Sequence, residues 1–368
     1  MLIGIDGNEA NVERRVGIGE YTYELLMQFS KFSAKGRSSS GRKFQIYLKE
    51  RPREDMPREN EIWKYRIVKP SKFWTQIGLP LDLYFHKPRP DVFFTPSHYA
   101  PRFSPIPTAI SIMDLSYIKF PELFKKSDLY QLVNWTKYSA EKASRIFTIS
   151  LASKNDIIQE YKLPESRVVI TYPGLKQVSS IKYQVSSMPK RDYILFVGTL
   201  QPRKNIVKLV EAFAKIKPKY SNLELIIVGK KGWIYEDILN APKKFNVEKS
   251  VKFIDFVDDL KLADLYKNAK CFVLPSLYEG FGLPVLEAMK YGCPVIVSNV
   301  SSLPEAGGDA ALYVNPEDVN DIKEKIEKVL SDKNLREQMV RRGYEQVKKF
   351  SWEKTARETL KVLEEIVK

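Results

Sequence analysis

Residues 275–299 read PSLYEGFGLPVLEAMKYGCPVIVSN. The apolar run CFVLPS, 271–276, leads into this stretch and reads as a buried strand; LYEGFG is a loop at its carboxyl end. Pro284 suits the first position of a helix, where its missing N–H costs nothing, and Gly292 is a helix-stop residue. PVIVSN then reads as the next strand, so the stretch is a strand–loop–helix–strand unit of a parallel sheet. Glu279 falls in the loop and Glu287 about one turn into the helix. Gly280 and Gly282 let backbone approach a ligand closely, and a helix N-terminus offers free N–H groups to a phosphate. Each carboxylate can accept hydrogen bonds from hydroxyls, so a diphosphate flanked by two hydroxyl-rich rings would suit the whole run. Alone, Glu279 reads as a loop charge and Glu287 as an acid serving the helix dipole.

The same rhythm extends in both directions. Upstream, LIGID, KFQIYLK, KYRIVK, DVFFTPS, TAISIMDLS, RIFTIS and RVVITYPG are strand-like, with helical spacing in IGEYTYELLMQFSKF, SDLYQLVNWTKYSAEKA and LASKNDIIQEY. A polar, Ser-rich stretch breaks the pattern, and a second βα series follows it from YILFVGTL to ALYVN. The expected fold is α/β, with two doubly wound parallel sheets facing a central cleft. Expected boundaries are residues 1–175 for an N-terminal domain, 176–192 for a linker, 193–350 for a C-terminal domain, and 351–368 for a last helix. That helix carries an apolar stripe of Trp352, Ala356, Leu360 and Leu363.

With 368 residues, 43% hydrophobic and 29% charged, the chain can build two ordinary cores. No apolar run approaches the roughly 20 residues that span a bilayer. The opening MLIGIDGNEANVERR is too short and polar for a signal peptide and reads as a first core strand. Cys271 and Cys293 lie in apolar, strand-like contexts, which reads as buried thiols in a reducing, cytoplasmic setting; with two histidines, a zinc site is not expected. The net charge of +15 points to anionic partners: nucleotide phosphates, an anionic membrane face or nucleic acid. Basic residues cluster from Lys35 to Lys72, which reads first as a solvated loop and edge-strand region and second as a patch for a membrane surface or acidic acceptor.

The run at 275–299 resembles the E-x7-E signature of the family 4 glycosyltransferases, a retaining group with the GT-B fold. RRVGIGEYTYELL, SIMDLSYIKFPELF, ISLASKNDI, YILFVGTLQPRKNI and SSLPEAGGDAALYVNP resemble further segments of that family, so the likeness covers most of the chain. It implies a nucleotide-sugar-dependent hexosyltransferase acting with retention on a glycan, lipid-linked or small-molecule acceptor. The VGIGEYTYELL and LQPRKNI phrasing is similar to mannosyltransferase members using GDP-mannose, with UDP- and ADP-sugars as alternatives.

The resemblance also implies roles. Glu279, with Arg203 and Lys204 of QPRKN, would be catalytic: the carboxylate meets the donor sugar and the cations neutralise the leaving diphosphate. Alone, PRKN reads as a basic turn before a helix. Donor binding would fall to Gly17, Gly19, Gly198, Val257, Gly280, Phe281, Gly282, Leu283 and Glu287, the last on the ribose hydroxyls. The spacing Gly17-Ile18-Gly19-Glu20-Tyr21-Thr22 is not a dinucleotide fingerprint. Where the family has His-Asp, this chain has Met113-Asp114, and Met113 makes no strong hydrogen bond. His98, in TPSHYAP, is the candidate to compensate, equally readable as an ordinary loop histidine; Asp114 would face the acceptor or orient a loop. With no D-x-D pair at a strand end, no obligatory metal or cofactor is expected. The last helix would pack back on the N-terminal domain, as in other GT-B proteins.

The expected location is cytoplasmic, with peripheral contact to an anionic membrane. A nucleotide-sugar epimerase of the same fold is the alternative enzyme, disfavoured by so few histidines. A basic nucleic-acid binder is more remote, because the aromatics sit in core-like runs rather than between surface cations; no nucleic-acid partner is expected.

Overall fold

The computed structural model describes residues 1–34, 41–176 and 192–368. The expected linker, apart from its end residues, lies outside these, as do residues 35–40 of the basic stretch. The chain divides into two compact units: Met1–Gly174 with Phe350–Lys368, and Leu175–Lys349.

The first unit runs β1 (Leu2–Asp6), α1 (Ile18–Ala34), β2 (Lys43–Leu48), β3 (Trp63–Ile67), α2 (Leu79–Phe85), β4 (Val92–Thr95), β5 (Thr108–Ser111), α3 (Ser116–Lys119), α4 (Lys126–Lys142), β6 (Arg145–Thr148), α5 (Leu151–Tyr161) and β7 (Val168–Ile170). A five-residue π-helix, Trp74–Gly78, leads directly into α2. The seven strands order as β3-β2-β1-β4-β5-β6-β7, and every strand pair is parallel. Val92, Phe93, Phe94 and Thr95 are all buried, as a strand covered by helices on both faces requires.

The second unit runs β8 (Tyr193–Val197), α6 (Ile206–Ile216), β9 (Glu224–Val228), α7 (Glu236–Lys244), β10 (Val251–Ile254), α8 (Asp259–Asn268), β11 (Cys271–Leu274), α9 (Leu283–Lys290), β12 (Val295–Ser298), α10 (Leu303–Gly307), β13 (Ala311–Val314), α11 (Val319–Ser331) and α12 (Lys333–Val347). Its six parallel strands order as β10-β9-β8-β11-β12-β13. The expected α/β class with two doubly wound parallel sheets is therefore what the chain forms. In each sheet the order reverses once, between β1 and β4 in the first and between β8 and β11 in the second. Ligands of such sheets bind outside the carboxyl ends of the strands at that reversal.

The last helix, α13 (Trp352–Val367), belongs to the first unit. Its N-cap Ser351 accepts from the Lys354 N–H. Trp352, Ala356, Leu360 and Leu363 are buried in one cluster with Ile3, Ile5, Leu25 and Phe29. The Trp352 and Tyr21 rings meet edge to face at 5.6 Å. Gly174 lies so close to this helix that an added Cβ would stand 2.1 Å from the Trp352 nitrogen.

The two cysteines are free and buried, and burial pushes the Cys271 thiol up to about 12. Four helices of seven or more residues have no counterpart in the sequence reading: residues 79–85, 236–244, 319–331 and 333–347. The first carries apolar residues on two faces and the second has Pro242 inside it, so neither shows a clean helical period.

Candidate active site

The second unit assembles a charged cluster where its strand order reverses. After β8, residues 202–204 form a 3₁₀ turn and Asn205 takes a left-handed conformation, φ 57°. After β11 the chain enters the loop carrying Glu279. Because β8 and β11 are neighbours, the two loops meet. The Leu277 N–H donates to the Arg203 carbonyl at 2.9 Å, and Arg203 donates to the Tyr278 carbonyl. The Asn205 amide donates to the Pro275 carbonyl at 3.1 Å and the Pro316 carbonyl at 2.8 Å. Asn205 thus latches the basic turn to the glutamate loop through its side chain.

Within this frame the Lys204 ammonium donates to Glu279 Oε1 at 2.6 Å, and Ser276 Oγ donates to the same oxygen at 2.7 Å. Arg203 reaches Glu279 Oε2 at 3.3 Å. Ser301 and Ser302 donate to the Glu279 carbonyl at 2.7 and 2.8 Å. Burial alone would raise the Glu279 pKa; the charges of Lys204 and Arg203, with the bonds from Lys204 and Ser276, overcome it and hold the carboxyl at about 2. Two cations around one carboxylate leave a net positive charge, and a carboxylate held that low is a poor base.

Gly282 adopts φ 103° and caps α9, and an added Cβ there would meet Leu303 at 2.8 Å. Leu283 is the first helical residue and Pro284 the second, one place later than the sequence suggests. Gly280 and Phe281 are buried in the same loop. Glu287, on α9, is half-buried, and its Oε2 accepts from Tyr266 at 3.0 Å. Burial raises the Glu287 carboxyl, while the Tyr266 bond opposes the rise. Gly198 follows β8, and Val257 is half-exposed in the loop after β10.

Gly17, Gly19, His98 and Asp114 belong to the first unit. Gly17, φ 52°, precedes α1 and Gly19 lies in its first turn. His98 follows β4, one of the two strands flanking the reversal, and Asp114 follows β5. His98 Nε2 is buried without a hydrogen-bond partner among the described residues. Burial pushes the imidazole down to about 4, against the opposing pull of Asp114. Met113 packs against the core cluster beneath α1 and α13. Asp114 accepts from the Ser116 N–H at 2.8 Å. The sequence reading did not single out Ser276, Ser301, Ser302 or Tyr266, and read Asn205 only as the end of the basic turn PRKN. For all but Tyr266, which lies within α8, the one sequence signal is position in a loop or turn that follows a strand.

Among the described residues, no group of three or more His, Cys, Asp or Glu is placed to hold a metal ion. No helix there is long and apolar enough to cross a membrane.

Two parallel α/β sheets, each with one strand-order reversal and a cation–carboxylate cluster at the second, fit the GT-B fold class. Solved structures agree on the fold: sucrose-phosphate synthase from Thermosynechococcus elongatus superposes with a TM-score of 0.73 at 19% identity, covering 99% of this chain and 98% of that one. HepE of Anabaena, in complex with UDP and glucose, gives 0.70 at 17% identity, covering 99% of each chain. The family described as glycosyl transferases group 1 matches residues 179–346. O-antigen chain mannosyltransferase B of Escherichia coli is 33% identical over 309 residues, 81% of this chain and 78% of that protein. The chain belongs to the group 1 glycosyl transferases, family 4. It is an enzyme of the hexosyltransferase class, and its family implies a nucleotide-sugar donor and a glycan acceptor.

Proposed function

We propose that this enzyme transfers a mannosyl group, with retention, from GDP-mannose to a glycan or lipid-linked acceptor. The observation that carries the reading is the Lys204–Glu279–Arg203 cluster, with its net positive charge beside the N-terminus of α9. A diphosphate placed there meets the Lys204 and Arg203 charges and the positive end of the α9 dipole. Glu287, held by Tyr266 through one oxygen, offers the other to ribose hydroxyls. The similarity to an O-antigen mannosyltransferase supports mannose as the sugar.

In this reading the bond from sugar C1 to the diphosphate oxygen breaks and its electron pair leaves with the diphosphate. Lys204 and Arg203 stabilise that charge. The acceptor hydroxyl oxygen bonds to C1 on the same face, and its proton passes to the departing phosphate oxygen. Glu279, too weak a base to take that proton, orients the cations and the sugar hydroxyls. The unit Leu175–Lys349 holds the donor. The first unit, with His98 after β4 and Asp114 after β5, serves the acceptor. The setting is the cytoplasmic face of a membrane that carries the acceptor.

Calorimetry with GDP, UDP, ADP and their mannose or glucose conjugates tests the reading, using wild type and Glu287→Ala. GDP and GDP-mannose should bind and the variant should lose them. Binding of only a uridine or adenosine series would overturn the donor assignment. Conversion of the donor sugar without any acceptor would overturn transfer itself in favour of epimerisation.

A further inference from the structure

We propose that the outward face of residues 73–85, with Phe103, docks this enzyme onto an anionic lipid surface. The π-helix Trp74–Gly78 and α2 form one continuous helical segment whose inward face buries Trp74, Leu79 and Leu83 against Tyr47, Val68 and Phe93. Its opposite face is also apolar: Ile77 and Leu81, then Tyr84 and Phe85 three and four residues on, are all exposed, Phe85 to 77%, and Phe73, in a left-handed conformation just before the segment, is exposed as well. The Arg102 N–H donates to the Thr75 carbonyl at 2.9 Å, which sets the next residue, Phe103, beside the same segment, 73% exposed. Isolated exposed apolar side chains are ordinary, but a continuous stripe of this size marks an interaction surface. A helix apolar on both faces has two partners, and the core supplies only one.

The charge around the stripe selects the second. Lys72 and Lys87 are exposed, and Arg89 and Arg102 half-exposed. The Lys72 ammonium sits 5.4 Å from the centre of the Phe73 ring, and Arg89 donates to the Tyr84 carbonyl at 2.6 Å, so cations flank the apolar residues directly. The two carboxylates of this stretch are engaged elsewhere. Asp82 is buried against Arg66 at 2.6 Å, with His86 at 2.9 Å, and Asp91 accepts from the Leu2 N–H at 2.7 Å. An apolar face rimmed by uncompensated cations matches lipid tails beneath anionic headgroups. A second copy of the chain would bring two cationic rims together, and a nucleic acid would leave the apolar stripe unmatched.

This inference deepens the proposed action on a lipid-linked acceptor and rests on it for its purpose. Its test needs neither donor nor acceptor, so the two readings fail separately. The full chain is sedimented with vesicles of phosphatidylcholine alone, and of phosphatidylcholine with phosphatidylglycerol. Wild type should bind the anionic vesicles, more weakly as salt rises, and bind neutral ones poorly. Ile77→Ser with Phe85→Ser should weaken binding at least about tenfold, from the apolar area lost. Lys72→Ser and Lys87→Ser should each cost roughly fivefold, on anionic vesicles only. Unchanged melting temperature checks the fold, and Phe85→Ser alone, at the most exposed position, is the fallback. Wild type that ignores anionic vesicles, or stripe variants that bind them like wild type, would overturn the proposal. So would a concentration-dependent dimer that the stripe variants dissolve, since the second copy would then be the occupant.

Discussion

The Lys204 ammonium lies 2.6 Å from the Glu279 carboxylate, and both side chains are nearly closed to solvent. Removing one partner leaves the other's charge buried with poorer compensation. Lys204→Met should cost about 3–5 kcal/mol of stability, by urea unfolding, in addition to a large loss of turnover. Glu279→Gln should cost the fold at least as much, because it leaves the Lys204 and Arg203 charges buried without a counter-charge. The pH dependence has a definite sign. Folding lowers the Glu279 pKa from 4.5 to about 2, so its stabilisation is complete above pH 4.5 and is lost as pH falls from there towards 2. Unfolding midpoints of wild type should drop more steeply over that window than those of Glu279→Gln.

Tyr266 and Glu287 should act as one unit in nucleotide binding. The tyrosine holds one carboxylate oxygen and opposes the effect of burial. Tyr266→Phe should raise the Glu287 pKa further and weaken nucleoside diphosphate binding at neutral pH. Glu287→Ala should weaken it about 10- to 100-fold, the range for hydrogen bonds to a charged group. Calorimetry with a 2′,3′-dideoxy nucleotide checks the contact: the variant and wild type should bind that analogue alike.

His98 should be neutral through the whole physiological range. Its folded pKa, about 4, lies below the ordinary 6.5, so the fold loses stability as pH falls from 6.5 towards 4. Imidazole titration by NMR should show a midpoint near 4. His98→Ala should lower kcat/KM without introducing or removing an ionisation between pH 5 and 8.

Gly174→Ala should destabilise the first unit. The added methyl would meet backbone of α13 at 2.1 Å, so one of the two chain segments must move. About 1–3 kcal/mol is expected, as for overpacking elsewhere, read as a fall in melting temperature.

Turnover should survive EDTA, because Arg203 and Lys204 supply the positive charge that the diphosphate requires. Loss of activity restored by magnesium would contradict this.

Much of this was readable in the sequence because it depends on short-range pattern. Alternating apolar runs and amphipathic stretches gave both parallel sheets, and the spacing of Glu279 and Glu287 around Gly280 and Gly282 pointed at one loop. What was hidden depends on distant partners. The latch made by Asn205 joins Pro275 and Pro316, which lie 70 and 111 residues away. Tyr266 meets Glu287 only because α8 packs beside α9. The outward stripe at 73–85 was masked by the buried stripe on the same segment, because two apolar faces erase the period that distinguishes one.

The place of α13 also sets an order of events on the ribosome. The unit Leu175–Lys349 is continuous in the chain, whereas the unit that begins at Met1 is completed only by Phe350–Lys368. Synthesis therefore delivers every residue of the later unit before the earlier one has its last helix. Until then Tyr21, Leu25 and Phe29 lack the Trp352, Leu360 and Leu363 surface that covers them. The first half made is the last half finished, and for the time needed to translate some 180 residues it is the part most in need of a chaperone.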